Sequence, residues 1–105
     1  MPRIFMERSG EMEVFASVVR QGGVSAAARS LGLTPLAVNK VVARLEGRLG
    51  VRLLVRTAHQ INLTREGEAY YRAALPILEA LSDAERAASA GAVSEPKEAP
   101  ASSEG

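Results

Sequence analysis

The chain has 105 residues, 47% of them hydrophobic and 24% charged, with a mean hydropathy near zero. That describes one small folding domain, with or without a tail, and not a chain disordered throughout. The absence of cysteine excludes disulfides, thiolate metal sites and cysteine nucleophiles, and suits a reducing cytoplasm. No apolar run approaches the ~20 residues of a membrane span, so no membrane partner is expected.

The net charge of +1 conceals an uneven distribution. Between Val14 and Arg65 stand Arg20, Arg29, Lys40, Arg44, Arg48, Arg52, Arg56 and Arg65, opposed by Glu46 alone, a local net of +7. The rest of the chain is acidic to nearly the same extent. A cationic middle of this size is the electrostatic footprint of a polyanion partner. With two phenylalanines, two tyrosines and no tryptophan, the chain has little to stack on single-stranded nucleic acid, which leaves duplex DNA as the expected partner.

Residues 1–9 are read as a flexible N-terminus. Met12, Phe15, Ala16 and Val19 then recur at helical spacing and predict an amphipathic helix over about 10–21, stopped by Gly22-Gly23. Ser25 is the expected N-cap of a short second helix ending at Gly32. Thr34 and Pro35 supply the cap and first position of a third helix, which runs to Leu49 and stops at Gly50. Two helices joined through a tight glycine turn make a helix-turn-helix candidate. The β-prone stretch 51–57 and the alternating 61–64 predict a two-stranded wing turning through Ala58-His59-Gln60.

Thr64 caps a fourth helix over about 65–88, with Glu66 and Glu68 in its first turn, where the helix dipole favours acids. Tyr70, Ala74, Ile77, Leu81, Ala84 and Ala88 step by four and three, a heptad seam for dimerisation. A second stripe, Tyr71, Leu75 and Leu78, is expected to pack on the helix-turn-helix body. Pro76 should kink this helix or loosen a turn. Residues 89–105, rich in proline, serine, alanine and glutamate, read as a disordered tail. The expected class is therefore mainly α: a winged helix-turn-helix domain over 10–64, of three helices and a short β-hairpin wing, followed by a long dimerisation helix.

On a 100° wheel the third helix turns Val38, Val42, Leu45 and Leu49 to one side, with Val41 flanking, as the core stripe. Leu36, Lys40, Ala43 and Gly47 face the other way, flanked by Asn39 and Arg44. This outward side suits a DNA groove. Lys40 can reach a phosphate or a guanine edge, Asn39 can pair with adenine, and Leu36 can touch a thymine methyl. Ser25 and Thr34 stand at helix starts, where amides favour phosphate, with Arg29 one turn on. Arg56 and Thr57 close the first wing strand and can engage the backbone or a narrow minor groove.

Nothing in the chain points to catalysis. The one histidine, His59, stands in the wing turn with no paired carboxylate, and Glu66 and Glu68 do not share a helix face. No metal-ligand spacing or phosphate-loop pattern occurs, so no cofactor and no metal are expected.

An ordered series of residues carries a resemblance. It comprises Met12-Glu13-Val14-Phe15, then Gly23 through Pro35, then Ala37-Val38 and Arg44-Leu45-Glu46. It continues with Leu49 through Leu54, Arg56-Thr57, Leu63-Thr64 and Glu66-Gly67. This series resembles the N-terminal domain of LysR-type transcriptional regulators over residues 10–88. The resemblance implies a winged helix-turn-helix, with the helix-turn-helix reading unit at about 24–43, and a linker helix pairing antiparallel with its mate. It also implies a homodimer through the fourth helix, acting in the cytoplasm on interrupted palindromes in promoters.

Asn39 stands where the family usually has serine, Leu36 replaces a common serine or proline, and the wing turn lacks the family's arginines. The first two changes imply an altered base preference, the third a weaker phosphate grip. The family's effector-binding domain would begin where this chain stops, so no small-molecule effector is expected on this chain. A second reading is a dimerisation module that forms inactive heterodimers with full-length relatives.

Overall fold

The computed structural model describes residues 7–57 and 60–94. The helices α1 (Arg8–Gln21), α2 (Val24–Leu31) and α3 (Pro35–Leu49) are followed by strands β1 (Leu54–Arg56) and β2 (Ile61–Leu63) and then by α4 (Arg65–Ser94). The strands pair antiparallel, with Leu54 opposite Leu63, Val55 opposite Asn62 and Arg56 opposite Ile61. This is the mainly α, winged helix-turn-helix architecture expected from the sequence.

The core is assembled where the first three helices and the base of the wing converge. Val14, Phe15 and Val18 from α1, Ala27 and Ala28 from α2, Val38, Val41, Val42 and Leu45 from α3, and Leu53 and Leu54 form one buried cluster. The alanines of α2 let three helices approach closely. Phe15 is fully buried and contributes on the order of 2–3 kcal/mol of apolar transfer free energy. It meets Tyr70 and Tyr71 of α4 edge-on, at ring-centroid distances of 5.3 and 6.4 Å. These ring pairs seat the start of α4 on the helix-turn-helix body.

Local chemistry sets most boundaries. Thr34 caps α3 by accepting from the Ala37 amide at 3.0 Å, and Pro35 occupies the first turn, where its missing N–H costs nothing. Thr64 caps α4 by accepting from the Gly67 amide at 2.8 Å while donating to the Arg52 carbonyl at 2.7 Å. Gly32, at φ 72°, ends α2 in the left-handed region, which a side chain would disfavour.

Several boundaries and roles differ from the sequence reading. Helix α1 starts at Arg8, because the Glu11 amide closes a turn on the Glu7 carbonyl at 2.9 Å. Gly23, and not Ser25, occupies the N-cap of α2, which leaves the Ser25 hydroxyl in the first turn, exposed. Leu49, expected in the core stripe, is 40% exposed because α3 outruns the body at its last turn. The wing strands are three residues each, shorter than the β-prone stretches, since Val51, Arg52 and Leu53 turn the chain from α3 into the sheet.

Two seam residues also move. Tyr70 is half-buried against the core, and Ala74 is fully buried within its own chain, so Ala74 is not free to meet a partner. Leu75, expected to pack on the body, is 41% exposed. Helix α4 is continuous through Pro76 and runs to Ser94, six residues beyond Ala88. The wing residues Ala58 and His59, the N-terminal residues 1–6 and the tail residues 95–105 lie outside the described residues.

Candidate nucleic-acid interface

Helix α3 owes its amphipathic division to sequence spacing. Val38 and Leu45 have no exposed surface, and Val41 and Val42 lie beside them in the core. The opposite side is open: Leu36 is 64% exposed, and Lys40, Ala43, Arg44 and Gly47 are exposed with it. Ala43 and Gly47 keep this surface low, so the helix backbone can come close to a partner. A leucine as exposed as Leu36 at a helix start adds little to the core and is the kind of apolar surface that marks a contact site.

Around this rod stand the supporting residues. Ser25 and Arg29 on α2 and Thr34 before α3 are exposed, and so are Arg56 and Thr57 at the end of β1. Thr34 spends its hydroxyl on the α3 cap. Thr57 spends its own inside the wing, donating to the Gln60 carbonyl at 3.1 Å and accepting from the Gln60 amide at 3.1 Å. Both hydroxyls are therefore already engaged within the chain. Asn39 is half-buried at the flank of α3, with its Oδ1 turned away from solvent and unpartnered.

The cationic stretch is not uniform. Arg48 pairs with Glu11, an acid that α1 buries almost completely, and Arg52 lies 3.6 Å from Glu46. Among the described residues no ion pair engages Arg29, Lys40, Arg44 or Arg56, so their charge is available to a partner. Burial pushes the phenol pKa of Tyr70 above its ordinary value, opposed in part by the nearby Arg48 charge and helped least by Glu11. It remains neutral and belongs to the packing.

Glu46 is a positioning residue that its sequence context hid. Its Oε2 accepts from the backbone amides of Leu53 at 2.7 Å and Leu54 at 3.2 Å, tying the last turns of α3 to the base of the wing. A lone acid in a stretch of eight bases is itself a signal that it is used. The spacing to its partners, seven and eight residues onward across a turn, is not a periodic pattern and could not be read beforehand.

The model of a bacterial regulatory helix-turn-helix protein family, lysR, matches residues 10–68. The HTH-type transcriptional regulator CrgA of Neisseria meningitidis is 47% identical over 77 residues, which cover 73% of this chain and 26% of that protein. This chain thus spans about a quarter of the length of such curated relatives. Among solved structures, the BenM DBD/catB site 1 DNA complex aligns with a TM-score of 0.76 at 22% identity, covering 85% of this chain and 99% of that one. That likeness establishes the fold. The CbnR DBD–DNA complex aligns with a TM-score of 0.71 at 30% identity, over 82% and 99% of the two chains. A regulatory family and a relative named as a transcriptional regulator agree with the sequence reading that this is no enzyme. By its matched residues and by its architecture, the chain belongs to the lysR family of bacterial regulatory helix-turn-helix proteins.

Proposed function

We propose that this chain is the sequence-specific DNA-binding domain of a transcription regulator, acting in the cytoplasm as a dimer on an interrupted palindrome. The carrying observation is the division of α3: a sealed apolar face against the core and an open face of Leu36, Lys40, Ala43, Arg44 and Gly47. A rod about 10–12 Å across with a low, cationic outer surface fits the major groove of B-DNA, ~12 Å wide. Lys40 and Arg44 meet phosphate or base edges, and Leu36 meets a thymine methyl. Ser25, Arg29 and Thr34 brace one backbone strand, while Arg56 and Thr57 of the wing brace the neighbouring groove. Related domains are named as complexes with DNA, which supports the same use here. No observation favours the pure dimerisation module over this reading.

The dimer seam is proposed on the distal part of α4, through Ile77, Leu81, Ala84 and Ala88. All four are exposed, with Ile77 at 51%, and they follow one another along one face of the helix.

The test is selection from a randomised duplex pool, followed by titration of the winning duplex across salt concentrations. An inverted repeat should emerge. Log affinity should fall with log salt at about 0.9 per phosphate contact. A flat salt response, or a pool returned without enrichment, would rule the reading out.

A further inference from the structure

Among the described residues, Leu36 is the most exposed large apolar side chain, at 64%. It is the second residue of α3, and recognition helices of the helix-turn-helix class meet base edges through their N-terminal residues. The tip around it is poor in hydrogen-bonding side chains. Leu33 and Pro35 are exposed beside it, neither with a polar side-chain atom, and the Thr34 Oγ1 already accepts from the Ala37 amide at 3.0 Å. Behind the tip, Lys40 and Arg44 follow at steps of four residues along the same side of the helix. Both are exposed and, among the described residues, in no ion pair.

An apolar group projecting ahead of two free cations fits a polyanion that itself displays an apolar group. In duplex DNA that group is the methyl on C5 of a pyrimidine, which thymine presents in the major groove. Leucine senses the methyl by contact alone. It has neither donor nor acceptor with which to test the neighbouring atom, where thymine carries the O4 acceptor and cytosine the N4 donor. A cytosine methylated at C5 holds its methyl where thymine does. To the Leu36 side chain these two bases are alike, and each differs from its unmethylated counterpart, uracil or cytosine.

Resting on the proposed placement of α3 in the major groove, we infer that Leu36 is a specificity-determining residue that reads the C5-methyl group and not the base bearing it. The ligands of this domain then include duplexes with 5-methylcytosine at the thymine position that Leu36 meets. Binding there responds to methylation of the cytosine.

The experiment takes the duplex enriched from the randomised pool and binds it to the full natural chain and to Leu36→Ala. Each thymine of the half-site is replaced in turn by uracil. At the position that responds, cytosine and 5-methylcytosine are then compared, so that the members of each pair differ by one methyl group. Uracil should weaken binding by the natural chain about fourfold, the scale of one methyl group leaving water. 5-Methylcytosine should bind more tightly than cytosine by the same factor. Leu36→Ala should abolish both differences.

A half-site without thymine, or one indifferent to every uracil, would overturn the inference. So would a uracil effect with no matching difference between cytosine and 5-methylcytosine, since the base and not its methyl would then be read. Methyl effects that persist in Leu36→Ala would overturn it too, because they would belong to the shape of the DNA. Leu36 is exposed, so the alanine variant should keep the natural circular dichroism melt; should it melt early, Leu36→Ser takes its place. A natural chain that enriches no duplex would instead refute the DNA reading itself, an outcome distinct from enrichment that ignores the methyl.

Discussion

Gly67 shows how little room one position can leave. A Cβ placed there would lie 2.0 Å from the Leu53 carbonyl oxygen and 2.9 Å from its carbon. That carbonyl already accepts from the Thr64 amide at 3.0 Å, so it cannot move aside without breaking the junction between the wing and α4. Gly67→Ala should therefore destabilise the domain at or beyond the upper end of the ~1–3 kcal/mol typical of overpacking, read as a lowered urea midpoint. An unchanged midpoint would mean that the junction yields. The sequence marks Gly67 only as part of a resemblance, because a close approach between residues fourteen apart leaves no local trace.

Among the elements, α3 and β1 are coupled through one carboxylate. Glu46→Ala leaves the Leu53 and Leu54 amides to find water or go unpaired at a part-buried site. It should cost about 2–3 kcal/mol, since each orphaned buried group costs roughly 1–3 kcal/mol. The loss should also loosen the wing, seen as faster amide exchange at Leu53 and Leu54 than in α1. Equal exchange in both would refute that role. Element boundaries that rest on local chemistry were legible beforehand: the Thr34-Pro35 start, the Gly32 turn and the Thr64 cap each depend on residues within a few positions. The dimer seam was less legible. On a 100° wheel Ala74, Leu81 and Ala88 fall within about 40° of Tyr70, so they share one face. Periodicity identifies that face but not what covers it. The body covers it fully at Ala74 and partly at Tyr70, whereas Leu81 and Ala88 are exposed. The burial of the Asn39 Oδ1 was not legible, because a helical wheel gives one direction for the whole residue and none for the atoms of its amide.

The assembled domain is elongated, 56 × 31 × 24 Å, because α4 extends beyond the core it helps to close. Its later turns expose apolar surface, including Ile77 and Leu81. Ile77→Asp combined with Leu81→Asp should leave the monomer folded, since both side chains are exposed, and should shift the sedimentation coefficient from dimer to monomer. A dimer that survives both charges would place the seam elsewhere. Under the dimer reading, α4 also acts as a measuring stick. Thirty residues at ~1.5 Å make a rod of about 45 Å, clamped to Phe15 at one end by Tyr70 and Tyr71. The tolerated gap between operator halves is then written in the length and heading of that rod, independently of which bases α3 prefers. Insertions or deletions in α4 would re-space the palindrome without changing its letters, so the two properties can evolve apart.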